Sequence, residues 1–236
     1  MTYRLSIVIP LYNEEKRLRE GFENTLQYFQ KSARPFEIIL VDDGSIDGTK
    51  RIIQDLADRN PNVRAITNEE NRGKGAAVKQ GALSAEGDVV LFTDIDLSVP
   101  LPHAEALIGK VEEGYDVAIG SRRVPGAVIE VHQPPFREFL GKGYRCIANF
   151  ILGTSFSDHT CGMKAFGKEA ARTLFGRQIL ERWAFDSEIL YLCKKLGYRV
   201  AEVPVHWRDA SGTKVRKFRD IVTSFVEILR IRFHHG

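Results

Sequence analysis

Cysteine is scarce and odd in number. Cys146, Cys161 and Cys193 lack any C-x-x-C spacing, which excludes a disulfide framework and a cysteine-rich zinc site and points to a reducing, cytosol-facing compartment. Long apolar runs are absent too. Stretches such as residues 89–92 fall far short of the roughly 18 residues that span a bilayer, and no signal-like apolar segment opens the chain, so the chain alone is not expected to cross a membrane. Neither charge sign dominates: 34 Lys and Arg stand against 31 Asp and Glu, a formal +3. With 43% hydrophobic and 28% charged residues over 236 positions, the composition excludes a disordered tail and a collagen-like repeat, and the length suffices for a large core. Repeats, low-complexity tracts and linkers are lacking. The expectation is one domain over 1–236, with halves of about 1–121 and 122–236.

What is present alternates. Residues 5–9, 36–41, 63–67, 89–92 and 117–119 are short apolar runs rich in β-branched side chains and read as buried strands. Between them Leu18, Phe22, Leu26 and Phe29, then Ile52, Ile53 and Leu56, recur at helical spacing, and residues 75–85 are dense in helix formers. Strand alternating with helix predicts an α/β fold, a mostly parallel central sheet with helices on both faces, whose ligands bind beyond the carboxyl ends of the strands. Residues 121–135 carry Pro125, Gly126, Pro134 and Pro135 without a steady period and read as a mobile loop. Apolar residues return at helical spacing over 136–150, mixed with Arg137, Lys142 and Arg145, and a last helix is expected over about 218–233.

The residues after the strands are polar. Pro10-Leu11-Tyr12-Asn13-Glu14-Glu15 closes the first strand, where Asn13 is placed to cap the next helix and the acids to complement its positive end. Asp42 and Asp43 end the second strand, at the edge where a nucleotide's ribose or base would lie. Asn71-Arg72-Gly73-Lys74-Gly75 precedes a helix and outlines a diphosphate cradle, with Lys74 supplying charge, although it is neither a Walker A loop nor a dinucleotide fingerprint. Asp94 and Asp96 follow the fourth strand, and alternation turns both to one side. Two carboxylates so placed are costly unless a cation joins them, and oxygen ligands in this number suit Mg2+ or Mn2+ completed by phosphate oxygens and water.

In this order, residues 5–122 resemble the inverting nucleotide-sugar glycosyltransferases of family 2 with the GT-A fold, a family marked by a P-x-Y-N-E strand end, a V-D-D-G-S strand end and a D-x-D metal site. Gly120-Ser121-Arg122, the segment from Asp158 to Lys164, the segment from Glu181 to Asp186, and Trp207 followed by residues 211–214 are similar to the dolichyl-phosphate (polyprenyl-phosphate) β-glucosyltransferase branch. The resemblance implies glucose transfer from UDP-glucose to a dolichyl or polyprenyl phosphate. It implies nucleotide-sugar contacts at Pro10, Tyr12, Asn13, Glu14, Asp42, Asp43, Lys74, Asp94 and Ile95, and metal ligation by Asp94 and Asp96. Arg122, Arg137 and Lys164 would hold the acceptor phosphate. Asp94, Asp96, Asp158 and Asp186 are the implied catalytic set, the last two facing the sugar or orienting cations. For Glu188, in the same segment, a structural role is the expectation. Ser98 stands where mannosyl relatives often carry Gln, and Gly141 where they carry Ser.

Eukaryotic members of that branch begin with a membrane helix that this sequence lacks, so membrane contact is expected from elsewhere in the chain, from a membrane-anchoring partner or through a homo-oligomer, at the cytoplasmic face. From Arg208 onward seven Lys or Arg face three acids, a basic patch that attracts anionic headgroups. The last helix reads equally as a core helix with a solvated basic face. No stacking platform or binding motif for nucleic acid accompanies the charge. Three alternatives stay open: a GDP-mannose donor, a polar acceptor deprotonated by Asp158 or Asp186, and a non-catalytic nucleotide-sugar-binding subunit of a membrane complex.

Overall fold

The computed structural model describes residues 4–32, 34–209 and 219–236, with side chains of the last segment from Thr223 onward. Its strands are β1 (Leu5–Leu11), β2 (Phe36–Asp42), β3 (Val63–Thr67), β4 (Val89–Thr93), β5 (Val117–Ser121), β6 (Val128–Val131), β7 (Met163–Gly167), β8 (Val200–Pro204) and β9 (His206–Arg208). The helices are α1 (Leu18–Gln30), α2 (Thr49–Arg59), α3 (Lys74–Ser84), α4 (Pro102–Glu112), α5 (Pro135–Leu152), α6 (Lys168–Arg177), α7 (Phe185–Leu196) and α8 (Arg219–His235).

Among the described residues, seven strands form one sheet in the order β3-β2-β1-β4-β7-β5-β8. Only β7 runs antiparallel, against β4 and β5. This is the expected GT-A arrangement, a mostly parallel sheet with helices on both faces. Strand alternation sorts the apolar side chains into two cores. Ile7 and Ile9 of β1 face a core built with α1, α2 and α4. Val8 faces the other, with α3, α6, α7 and the inner sides of α5 and α8. α3 carries small residues for a packing reason: a Cβ on Gly81 would stand 2.4 Å from Val8 Cγ1, so only glycine lets the helix lie this close to β1.

β1 sits between β2 and β4, so the chain winds outward in both directions from it. The carboxyl ends of β1, β2 and β4 therefore open into one cleft, where ligands of such sheets bind.

Two expectations need correction. Residues 121–135 are not all loop, because β6 lies within them and pairs in parallel with β9. Three of the four β6 residues are exposed, so no apolar alternation announces the strand. Asn13 does not cap α1. It takes a positive φ of 52°, five residues before a helix whose own N-cap, Arg17, makes no side-chain cap bond.

Candidate active site

The ends of β1 and β2 are stitched together by polar side chains. The Asn13 backbone N–H donates to Ser45 Oγ at 2.8 Å, and Asn13 Oδ1 accepts the Ile46 N–H at 2.9 Å. Asp42 is fully buried. It accepts the Ser45 N–H at 3.3 Å, and burial pushes its carboxyl up. Asp43, one residue on, clamps the glycine-rich loop: it accepts the Gly73 N–H at 2.7 Å, the Asn71 Nδ2 at 2.8 Å and the Arg72 N–H at 3.1 Å. Gly73 is required there, since its φ is +122° and a Cβ would stand 2.4 Å from Glu181 O.

The loop ends at Lys74, the first residue of α3. Its ammonium reaches Asp94 at 2.7 and 2.9 Å to the two carboxylate oxygens and lies over the rings of Phe92 and Trp183. Burial raises the Asp94 carboxyl, Lys74 opposes this, and the like charge of Asp96 adds to the rise. Asp96 accepts the Ser98 N–H at 3.0 Å and its hydroxyl at 2.8 Å. Its other oxygen lies 3.9 Å from Arg17 Nη1, and Arg17 is itself gripped by both oxygens of Glu14. Gly162 closes on the pair from the far side, because a Cβ there would stand 2.2 Å from Asp94 Oδ2. Among the described residues no group of three or more His, Cys, Asp or Glu could hold a metal ion. Asp94 and Asp96 are a two-oxygen-ligand set, which fits Mg2+ or Mn2+ shared with a diphosphate.

The second half supplies paired cations. Arg122 donates from Nε to Asp158 Oδ2 at 2.6 Å and from Nη2 to Asp158 Oδ1 at 2.8 Å, and stacks on Trp207 at 5.2 Å. Burial would raise the Asp158 carboxyl, yet the Arg122 guanidinium outweighs it and holds the group at about 2. Lys164 is buried and donates to Asp186 and to the Cys161 carbonyl. Register explains its position, since β7 pairs Lys164 with Phe92 and the ammonium lies 5.8 Å from that ring. Glu188 is fully buried and accepts the N–H groups of Ile179 and Leu180 at 2.8 Å each.

A cavity of about 500 Å³ gathers these parts. Pro10, Tyr12, Glu14, Asp43, Lys74, Asp94, Ile95, Asp96, Arg122 and Arg137 line it; Asn13, Asp42, Asp158, Lys164 and Asp186 do not. The cation assigned to the acceptor phosphate at Lys164 is thus an interior ion pair, and Asp158 acts behind the wall as the counter-ion of Arg122. Lining residues outside the sequence reading include Arg17, Gln133 and Asp209. Arg17 follows Glu14 at the i,i+3 spacing of a helical ion pair, a legible signal. Gln133 and Asp209, hydrogen-bonded at 3.1 Å, arrive after β6 and β9, which leave no such signal. The arrangement sets two carboxylates among several cations in one cleft, suited to a polyanion with a divalent ion.

Comparison with known proteins agrees with this chemistry. The sequence model described as "Glycosyl transferase family 2" matches residues 6–175. The chain is 34% identical over 251 residues to the dolichyl-phosphate beta-glucosyltransferase of Mus musculus, covering 99% of this chain and 76% of that protein. It is 37% identical over 227 residues to the one of Drosophila melanogaster, covering 91% and 70%. Among solved structures, glucosyl-3-phosphoglycerate synthase from Mycobacterium tuberculosis, in complex with Mn2+, UDP-glucose and glycerol 3-phosphate, superposes with a TM-score of 0.72 at 20% identity, covering 98% of this chain and 80% of that one. At that identity the likeness is one of fold.

Proposed function

The chain belongs to glycosyl transferase family 2, and from that premise we propose that it transfers glucose from UDP-glucose to a dolichyl or polyprenyl phosphate with inversion. The observation that carries this reading is that one cavity is lined by Asp94 and Asp96 together with Arg122 and Arg137. The acceptor is supported by the relatives named dolichyl-phosphate beta-glucosyltransferase, the donor and metal by the neighbour holding UDP-glucose and Mn2+.

In this reading residues 1–121 hold the donor and residues 122–236 the acceptor. An acceptor phosphate oxygen attacks the anomeric carbon on the face opposite UDP; the new C–O bond forms as the old one breaks, and the electron pair leaves on the UDP β-phosphate. A phosphate monoester has a second pKa near 6 and is already anionic at neutral pH, so the step needs no strong general base. Alignment and charge neutralisation remain for the protein to supply. Asp94 and Asp96 would hold Mg2+ or Mn2+, which when bound neutralises charge on the departing diphosphate as a Lewis acid. Arg122 and Arg137 hold the acceptor phosphate, and Asp158 fixes the Arg122 guanidinium. Asp43 sets the glycine-rich loop against the diphosphate through the Gly73 N–H.

A polar acceptor would need Asp158 or Asp186 as base, and both carboxylates are committed to buried cations. The intact Asp94 and Asp96 pair counts against a non-catalytic subunit. With a lipid acceptor the protein would work peripherally at a membrane surface, the cytoplasmic face being the side proposed; no described helix is long and apolar enough to cross a membrane. The test is single-turnover transfer from radiolabelled UDP-glucose to polyprenyl phosphate, with and without EDTA. Label should enter the lipid phase and EDTA should stop it. Transfer only to a polar hydroxyl acceptor, or none to any acceptor, would overturn the reading.

A further inference from the structure

α5 carries its large apolar side chains on the outside. Phe136, Phe139, Ile147 and Phe150 are exposed, 73%, 72%, 40% and 89% respectively, and at 100° per residue they fall within a sector of about 80°. Ala148 and Leu152, buried in the core, lie on the other side of the helix. α8 repeats the pattern: Val226, Leu229 and Phe233 are exposed, 62%, 45% and 84%, while Ile228 and Ile231 are buried. The two helices pack on one another. Tyr144 and Phe225 meet edge to face at their junction, ring centroids 6.0 Å apart, and each ring borders the outward stripe of its own helix. The two stripes therefore join into one apolar face, larger than the scattered apolar residues of an ordinary soluble surface.

That face is fixed with respect to the cavity. Arg137 in the first turn of α5 lines the cavity, and Phe136 beside it is exposed. At the other end His235 Nε2 of α8 lies 2.6 Å from Glu188 Oε1, and Glu188 holds the Ile179 and Leu180 N–H groups just before the cavity residues Arg182 and Trp183. Exposed Lys142 and Arg230 flank the two stripes. A second copy paired face to face would gather four of these cations around one interface, whereas negative headgroups complement them.

We propose that the joined outer face of α5 and α8 docks in the headgroup boundary of an anionic lipid leaflet, so that a lipid-borne phosphate enters the cavity at Arg137. The proposal rests on the acceptor reading above and adds to it the surface that meets the bilayer. The experiment is vesicle flotation of the full chain, without substrate, on phosphatidylcholine alone and on phosphatidylcholine with phosphatidylglycerol. Two variants are compared with the wild type: Phe136→Ser/Phe139→Ser/Phe150→Ser, and Val226→Ser/Leu229→Ser/Phe233→Ser. Circular dichroism and UDP binding check the fold of each. The wild type should float with anionic vesicles and lose binding as salt rises. A folded triple variant should bind at least about tenfold more weakly, and Lys142→Glu/Arg230→Glu should lose the preference for phosphatidylglycerol. Turnover of a water-soluble short-chain prenyl phosphate should be unchanged in all of them. Wild-type flotation unaffected by either triple variant overturns the proposal, as does a failure of the wild type to float. A wild-type dimer that the variants dissociate, with flotation unchanged, would assign the face to a second copy instead. Flotation as expected with no turnover of any prenyl phosphate would uphold the docking face and defeat the acceptor reading.

Discussion

Asp158 gives both carboxylate oxygens to Arg122, and the pairing fixes a pH dependence. Its carboxyl is held at about 2 in the folded protein against an ordinary 3.8. A depressed acid contributes stability that is fully present above the unfolded value and is lost as pH falls from about 4 through about 2. The difference corresponds to about 2 kcal/mol. Asp158→Asn should remove that contribution, so denaturant unfolding at pH 7 should show a loss of about 2 kcal/mol, and acid unfolding below pH 4 a shallower slope. An unchanged acid profile would place Asp158 outside the pair. Asp94 and Asp96 act differently, because they line the cavity and a diphosphate would face two carboxylates without a cation between them. Asp94→Asn/Asp96→Asn should keep the fold and abolish turnover, and metal-dependent enhancement of UDP binding should disappear in calorimetry. Full-strength, metal-independent UDP binding by that variant would sink the assignment. Both acids were legible in the sequence as a pair following a buried strand, but β4 ends at Thr93 and Asp96 lies in the turn after it, so strand alternation is not what sets their side. Lys164 and Asp186 were legible as charged residues but not as interior ones, since the antiparallel register of β7 that buries Lys164 beside Phe92 is a long-range pairing.

At the scale of elements, the cleft depends on close approaches that only glycine permits. Gly162 precedes β7 and abuts Asp94, with a notional Cβ 2.2 Å from the carboxylate oxygen. Gly162→Ala must displace Asp94 from Lys74 or move the backbone, so UDP affinity in the presence of Mn2+ should fall by about tenfold, equivalent to about 1.4 kcal/mol. Gly176→Ala, with nothing within 4 Å of its Cβ position, should leave that affinity unchanged, and calorimetry on both variants decides. β1, β2, β4 and β5 were readable because a strand buried on both faces is a continuous apolar run. β6 and β9 were not, since most of their residues are exposed and a two-stranded ladder at the surface needs no apolar period. Their role is visible only in space: they bring Gln133, Trp207 and Asp209 to the cavity. The expected helix over 136–150 appears as α5 (Pro135–Leu152), ending at Gly153 with a φ of +63°, a left-handed stop that glycine adopts readily. The last helix is α8, whose buried Ile228 and Ile231 pack on the core while its opposite side stays exposed. Of the basic patch expected from Arg208 onward, Lys214, Arg216 and Lys217 lie outside the described residues.

Across the whole molecule, the two walls of the cavity have separate structural origins. The wall that would meet the donor in the proposed reaction is made of the carboxyl ends of β1 and β4 with the loop that Asp43 clamps, all of it anchored to the central sheet. Arg137 comes instead from α5, which packs on α8 and lies outside that sheet. Removing the Arg137 side chain should therefore leave the donor wall in place. In the proposed reaction its guanidinium meets the acceptor phosphate, and a hydrogen bond to a charged group contributes about 1.5 to 3 kcal/mol. Arg137→Ala should then raise KM for polyprenyl phosphate by about ten- to a hundredfold, while KM for UDP-glucose stays within about twofold of the wild type. Arg122→Ala offers a contrast, because it also frees the buried Asp158 carboxylate. It should lower thermal stability as well as acceptor affinity. Equal rises in both Michaelis constants for Arg137→Ala would overturn its assignment to the acceptor phosphate.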